Sequence, residues 1–185
     1  MQEKLRRLRI LRDRVTDRLR WTQQYSYQPR WIKRSAFAAA LCADSQIVCD
    51  IGCGMQELRK LLHPGIVYLP ADLKLWTEDT RHCDLNLKNL PDIYLERADT
   101  VTMLGVIEYI YDVPWVLEEL FKYVDKLIVS YNPSDISQAN RANNGWVNSF
   151  TLGELVQLVH AAGFIVRDIR LIEEGQVIIA AAAPV

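Results

Sequence analysis

The stretch from Val48 to Leu62, VCDIGCGMQELRKLL, constrains the fold more than any other. A short apolar run reads as a buried strand, Gly52 and Gly54 turn it, and Gln56 to Leu62 reads as a helix. A strand that turns on glycines into a helix opens an open α/β sheet, whose ligands sit at the carboxyl ends of the strands. Two glycines let main chain approach a ligand with no side chain between them. A dinucleotide turn asks for a third glycine, and Glu57 stands in its place. The turn alone leaves the ligand open.

From Gln46 onward strands alternate with helices. Strands are expected in QIVCDI, GIVYLPADL, ADTVTMLGV and DKLIVSYN, and helices in VPWVLEELFKYV and TLGELVQLVHAAG, with Gly163 as a C-cap. Two apolar runs, FIVRDIRLIE and QVIIAAAA, are joined through Glu174-Gly175 and read as a hairpin. The pattern predicts an α/β fold with a doubly wound, mostly parallel sheet and a closing antiparallel strand.

Residues 1 to 45 read as a helical N-terminal extension and 46 to 185 as the ligand-binding domain. Leu5, Leu8, Leu11, Val15 and Leu19 recur at helical spacing among arginines, which predicts one basic amphipathic helix. An aromatic cluster follows, Trp21, Tyr25, Tyr27 and Trp31, with Pro29 as the break before a second helix around Ala36 to Leu41. The net charge of −1 conceals an asymmetry: residues 1 to 34 hold eleven Lys and Arg against three acids, and the rest hold eleven against twenty. The basic segment is open to three roles: a lid, a surface for an anionic acceptor or carrier, and a docking face for a partner helix. Nucleic acid is disfavoured, because the remainder is acidic.

No run of eighteen apolar residues and no signal core is present, so a cytoplasmic location is expected. Cys42, Cys49, Cys53 and Cys83 lack CxxC spacing, and His63, His82 and His160 are scattered, so these residues read as packing rather than as a metal site.

Asp50 ends the first strand, and twenty-two residues later Asp72 ends the second, the interval at which an acid accepts ribose hydroxyls. Asp84 lies in CDLN, ahead of the next strand. In this order VCDIGCG, YLPADL, CDLN and ADTVTMLGVIEYIYDVPWVLEEL resemble the motifs of the class I S-adenosylmethionine-dependent methyltransferases, over roughly Gln46 to Pro184. The resemblance implies a Rossmann-like seven-stranded sheet and S-adenosylmethionine as cofactor. It implies that Asp50, Gly52 and Gly54 hold the methionine portion and that Asp72 takes the ribose. Asp84 and Leu85 would face the adenine, with Gly105 and Val106 lining the pocket. Many relatives carry glycine at the position of Gln56.

Methyl transfer gains much from orientation alone, and a hydroxyl acceptor also gains from a base. Candidate bases are Glu108, Tyr109, Asp112, Tyr131 and His160. Trp146, with Asn144, Asn148 and Tyr131, is a candidate acceptor contact in a loop over the sheet edge. The expected reaction is methyl transfer to oxygen or nitrogen of a small-molecule or glycan-type acceptor. Two rival readings are a degenerate scaffold that uses the basic helix and a nicotinamide-dependent oxidoreductase.

Overall fold

A computed structural model describes residues 2–22, 30–172 and 175–184. Tyr25, Tyr27, Pro29 and Glu174 therefore lie outside the described residues. Seven strands form one sheet: β1 (Ile47–Ile51), β2 (Val67–Asp72), β3 (Arg81–His82), β4 (Thr100–Leu104), β5 (Lys126–Tyr131), β6 (Ile165–Leu171) and β7 (Val177–Ala182). Their order is β3-β2-β1-β4-β5-β7-β6. All neighbours pair in parallel except β7, which runs antiparallel to both β5 and β6. The strand order reverses between β1 and β4, and such a switch opens a crevice at the strands' carboxyl ends.

Strand periodicity of two divides the core into two layers. Val48, Leu104, Ile128 and Ile178 face one side, and Cys49, Met103, Leu127, Val129 and Ile179 face the other. The second side is thicker, because α5 (Val113–Phe121) and α7 (Leu152–Ala161) bring Val116, Leu117, Leu120, Leu155 and Val159 onto it. Each helix is fixed at its start. Asp112 accepts the Trp115 N–H ahead of α5, and Thr151 and Glu154 form a capping box on α7. Gly163, at φ +109°, ends α7 beside the Phe121 ring.

The first side is covered by α3 (Arg30–Leu41), which buries Ala38 against the sheet, and by Cys42 just beyond it. Residues grouped with the N-terminal extension thus supply part of the core. All four cysteines are buried free thiols, and burial pushes the Cys42 thiol up to about 12.

Two expected helices differ. Gln56 to Leu62 forms successive turns, because Gln56 adopts φ +58° and starts no helical turn there. Its amide donates instead to Thr77 Oγ1 at 2.7 Å. This left-handed backbone is the position at which glycine costs nothing. The basic helix is also not continuous. It breaks at Arg14, φ +51°, into α1 (Gln2–Asp13) and α2 (Arg18–Thr22), and Asp17 receives the Arg20 N–H at 3.1 Å.

Asp50 ties three strands together. Its carboxylate accepts Tyr68 Oη from β2 and Thr102 Oγ1 from β4, each at 2.6 Å. Burial raises its pKa from 3.8 to about 6, against the pull of those two hydroxyls. The folded state holds this proton more tightly than the unfolded chain. The group's contribution to stability is therefore full below the unfolded value of 3.8 and is lost as the pH rises through about 6. Two pKa units set an upper bound of about 3 kcal/mol. Asp50→Asn is expected to remove that decline: the stability difference between variant and wild type should move in the variant's favour between pH 4 and pH 7. Urea unfolding at both pH values measures it, and a pH-independent difference would refute the assignment.

Candidate active site

A hollow of about 860 Å³ opens at the carboxyl ends of β1, β2 and β4. That volume lies at the upper end of the range for small-ligand sites. Its floor is main chain. Gly52, at φ +77°, gives its N–H to Ala71 O at 2.8 Å, and a Cβ there would lie 2.3 Å from Val106 Cγ2. Gly54, at φ +49°, donates its N–H to Asp72 Oδ2 at 2.8 Å, while Lys74 N–H reaches Asp72 Oδ1 at 3.3 Å. Burial raises the Asp72 pKa, opposed by these backbone donors. The Leu73 N–H and the Trp76 side chain also donate to this carboxylate, which stands in the wall of the hollow.

Gly52, Gly54, Asp72, Asp84, Leu85, Gly105 and Val106 all line this hollow. Asp50 does not. Its carboxylate is directed to Tyr68 and Thr102, so it positions the strand ends from behind the floor. Gly105, at φ +73°, admits the Arg34 guanidinium, whose nitrogen would lie 2.5 Å from a Cβ at that position. Burial raises the pKa of both Asp50 and Glu108, and the Arg34 charge opposes part of that rise.

The roof comes from the basic segment. Asp84, 1% exposed, accepts Thr16 Oγ1 at 2.6 Å and pairs with Arg18 at 3.0 Å. Asn86 Nδ2 donates to Thr16 Oγ1 at 3.0 Å, Arg14 to Tyr111 O at 3.1 Å and Arg20 to Asn143 O at 3.2 Å. Trp21 meets Tyr109 edge-on with ring centroids 4.5 Å apart. The segment is thus a wall of the hollow, with Thr16, Arg20, Trp21, Trp31, Lys33 and Arg34 facing it.

Glu108 sits in a short 3-10 turn, Ile107–Tyr109, directly after β4. Its Oε1 accepts the Asn132 N–H at 3.0 Å and the Asn132 side-chain amide at 2.8 Å. Oε2 is buried without a hydrogen-bond partner among the described residues, and Glu108 lines the hollow. Burial raises its pKa, countered first by the Asn132 amide. Tyr109 also lines the hollow and receives the Trp146 Nε1–H at 3.1 Å. Trp146 and Asn144 lie on the same wall, reached from α6 (Arg141–Asn144) and the loop after it.

Three candidate bases lie elsewhere. Tyr131 is fully buried, and its hydroxyl is committed to Asn148, Arg141 and Phe150 at 2.7 to 2.9 Å, so it anchors the 141–150 loop and is not among the residues that line the hollow. Asp112 caps α5 outside the hollow. His160 is exposed on α7 and is not among the lining residues. Asn148 binds the main-chain oxygens of Ile107 and Ile110. Sequence reasoning missed Thr16, Arg18 and Arg34, whose only signal was the excess of arginine before residue 35. It also missed Asn132 as the partner of Glu108.

Sheet order, glycine floor and flanking helices define the class I, Rossmann-like methyltransferase fold. The chain is similar to the mitomycin 7-O-methyltransferase MmcR, with 15% identity and a TM-score of 0.64, covering 83% of this chain and 54% of that one. It is similar to human N-acetylserotonin methyltransferase in complex with SAM, with 17% identity and a TM-score of 0.58, covering 82% and 51%. It is also similar to the N-terminal domain of EvdMO1 in the presence of SAH and D-fucose, with 14% identity and a TM-score of 0.61, covering 87% and 86%. The chain spans about half the length of the first two. No protein-family model and no curated protein sequence matches it.

The buried end of the Arg18–Asp84 pair makes Asp84 the anchor of the basic segment. Asp84→Asn is expected to speed tryptic cleavage within α1 and α2 by roughly fivefold or more, since cleavage tracks local opening. Mass spectrometry of timed digests checks this. Unchanged cleavage would show that the segment is held by its other contacts.

Proposed function

We propose that the chain is an S-adenosylmethionine-dependent methyltransferase acting on a hydroxyl of a small-molecule or glycan-type acceptor. The observation that carries this reading is the Gly52–Gly54 main-chain floor beside Asp72, whose carboxylate is fixed at the end of β2 in the wall of the hollow. The donor set suits the cofactor. A ribose diol finds Asp72, an adenine finds the apolar edge at Leu85 beside Asp84, and a methionine carboxylate finds the Arg34 guanidinium over Gly105. Glu57 at the third glycine position is no obstacle, because no pyrophosphate has to approach the main chain there.

Bound there, the cofactor supplies an electrophilic methyl group on a sulfonium. Gly52, Gly54 and Asp72 would hold and orient it, and orientation supplies much of the acceleration. Val106 and Gly105 line the same hollow and would wall it beside the bound cofactor. Glu108 is the proton acceptor: Asn132 occupies Oε1 and leaves Oε2 for the acceptor's O–H. Its raised pKa makes it a stronger base than an exposed carboxylate. Trp21, Tyr109 and Trp146 give the acceptor a flat apolar contact.

A second reading, a scaffold without catalysis, is favoured by one observation: Thr16 and Arg18 already occupy the Asp84 carboxylate. Calorimetric titration separates the readings. S-adenosylhomocysteine is expected to bind and NAD is not, and Asp72→Ala should weaken the former by about 1.5 to 3 kcal/mol through loss of a charged acceptor. Glu108→Gln should keep S-adenosylhomocysteine affinity while slowing methyl transfer to hydroxylated aromatics or sugars by about 10²-fold or more. Absence of S-adenosylhomocysteine binding would favour the scaffold, and unchanged turnover in Glu108→Gln would remove the base.

A further inference from the structure

The basic segment is amphipathic in the opposite sense to an ordinary surface helix. Its polar side meets the protein through Arg7, Arg14, Thr16, Arg18 and Arg20, while Arg6 pairs with Asp17 inside the segment. Its apolar stripe faces outward: Leu5 is 59% exposed, Leu8 54%, Leu11 50% and Leu19 48%. Contiguous exposed apolar side chains in register mark a surface that something covers.

Charge identifies the occupant. Lys4 and Arg12 lie one turn to either side of Leu8 on the same face, and Arg9 lies one turn beyond Leu5. Asp13 is the single carboxylate shared by Arg9 and Arg12, at 3.6 and 2.7 Å, so cations exceed anions around the leucines. A second copy of this stripe would bring two basic faces together, which like-charge repulsion opposes. A short helix with leucines flanked by lysine and arginine suits an anionic lipid surface, where apolar side chains enter the acyl boundary and cations meet headgroups. We infer that the outward face of α1 and α2 is a mooring surface for an anionic bilayer. The same segment roofs the hollow through Thr16, Arg20 and Trp21, so mooring holds the roof of the site against the membrane.

The test is co-sedimentation of the full chain with phosphatidylserine–phosphatidylcholine vesicles and with phosphatidylcholine alone, at low salt. The protein is expected to partition onto the anionic vesicles about tenfold more strongly or better. Leu5→Asp combined with Leu8→Asp and Leu11→Asp should abolish that binding, with an unchanged circular dichroism spectrum. Lys4→Glu combined with Arg12→Glu tests the same face without removing its leucines and should lower anionic binding to the level of phosphatidylcholine. Binding to neither vesicle, or equal binding to both, would overturn the inference. So would a doubled mass in sedimentation velocity that the leucine substitutions halve, since the occupant would then be a second copy.

Discussion

The hydrogen bond from Gly54 N–H to Asp72 Oδ2 ties the loop after β1 to the end of β2, and the floor of the hollow depends on it. It requires a left-handed residue at 54 and a carboxylate held out of water. The cost of desolvating Asp72 is offset in part by the donors around it. Behind the floor, Asp50 does comparable work with Tyr68 and Thr102, joining β1 to β2 and β4 on either side of the topological switch. The two carboxylates have different partners and different places: Asp50 fixes strand ends behind the floor, and Asp72 lines the hollow.

The N-terminal segment couples the basic and acidic parts of the chain. An excess of cations before residue 35 and of anions after it becomes contact where Arg18 meets Asp84 and Arg34 sits over Gly105. Exposed ion pairs contribute little. The Asp84 end of this one is buried and also takes the Thr16 hydroxyl, so leaving that carboxylate without partners would be costly. The hollow is thus enclosed by the strand ends below and by a segment that reaches it from far away in sequence above.

The strands and the long helices were legible, because Val48/Cys49, Ile128/Val129 and Ile178/Ile179 alternate cleanly and α5 and α7 carry their own caps. Asp72 and the glycines were legible because their spacing is local. The turns at 56–62 were not: QELRKLL has helical composition, and the left-handed state of Gln56 is a tertiary choice secured by Thr77. Local pattern likewise places Leu5, Leu8 and Leu11 on one stripe but carries no sign of which side faces the protein. Tyr131 ends β5 and Glu108 follows β4, and only the contacts tell them apart: the tyrosine hydroxyl is saturated, while one glutamate oxygen has no hydrogen bond among the described residues.

The central claim is that sheet edge and basic segment enclose one ligand site. Hydrogen exchange of the full chain with and without S-adenosylhomocysteine tests it most directly. The account predicts added protection in three places at once: the loop at 52–56, the strand end at 72–74 and the roof at 16–21. Protection of the loop and strand end without the roof would contradict a shared enclosure, and no protection anywhere would contradict the site itself.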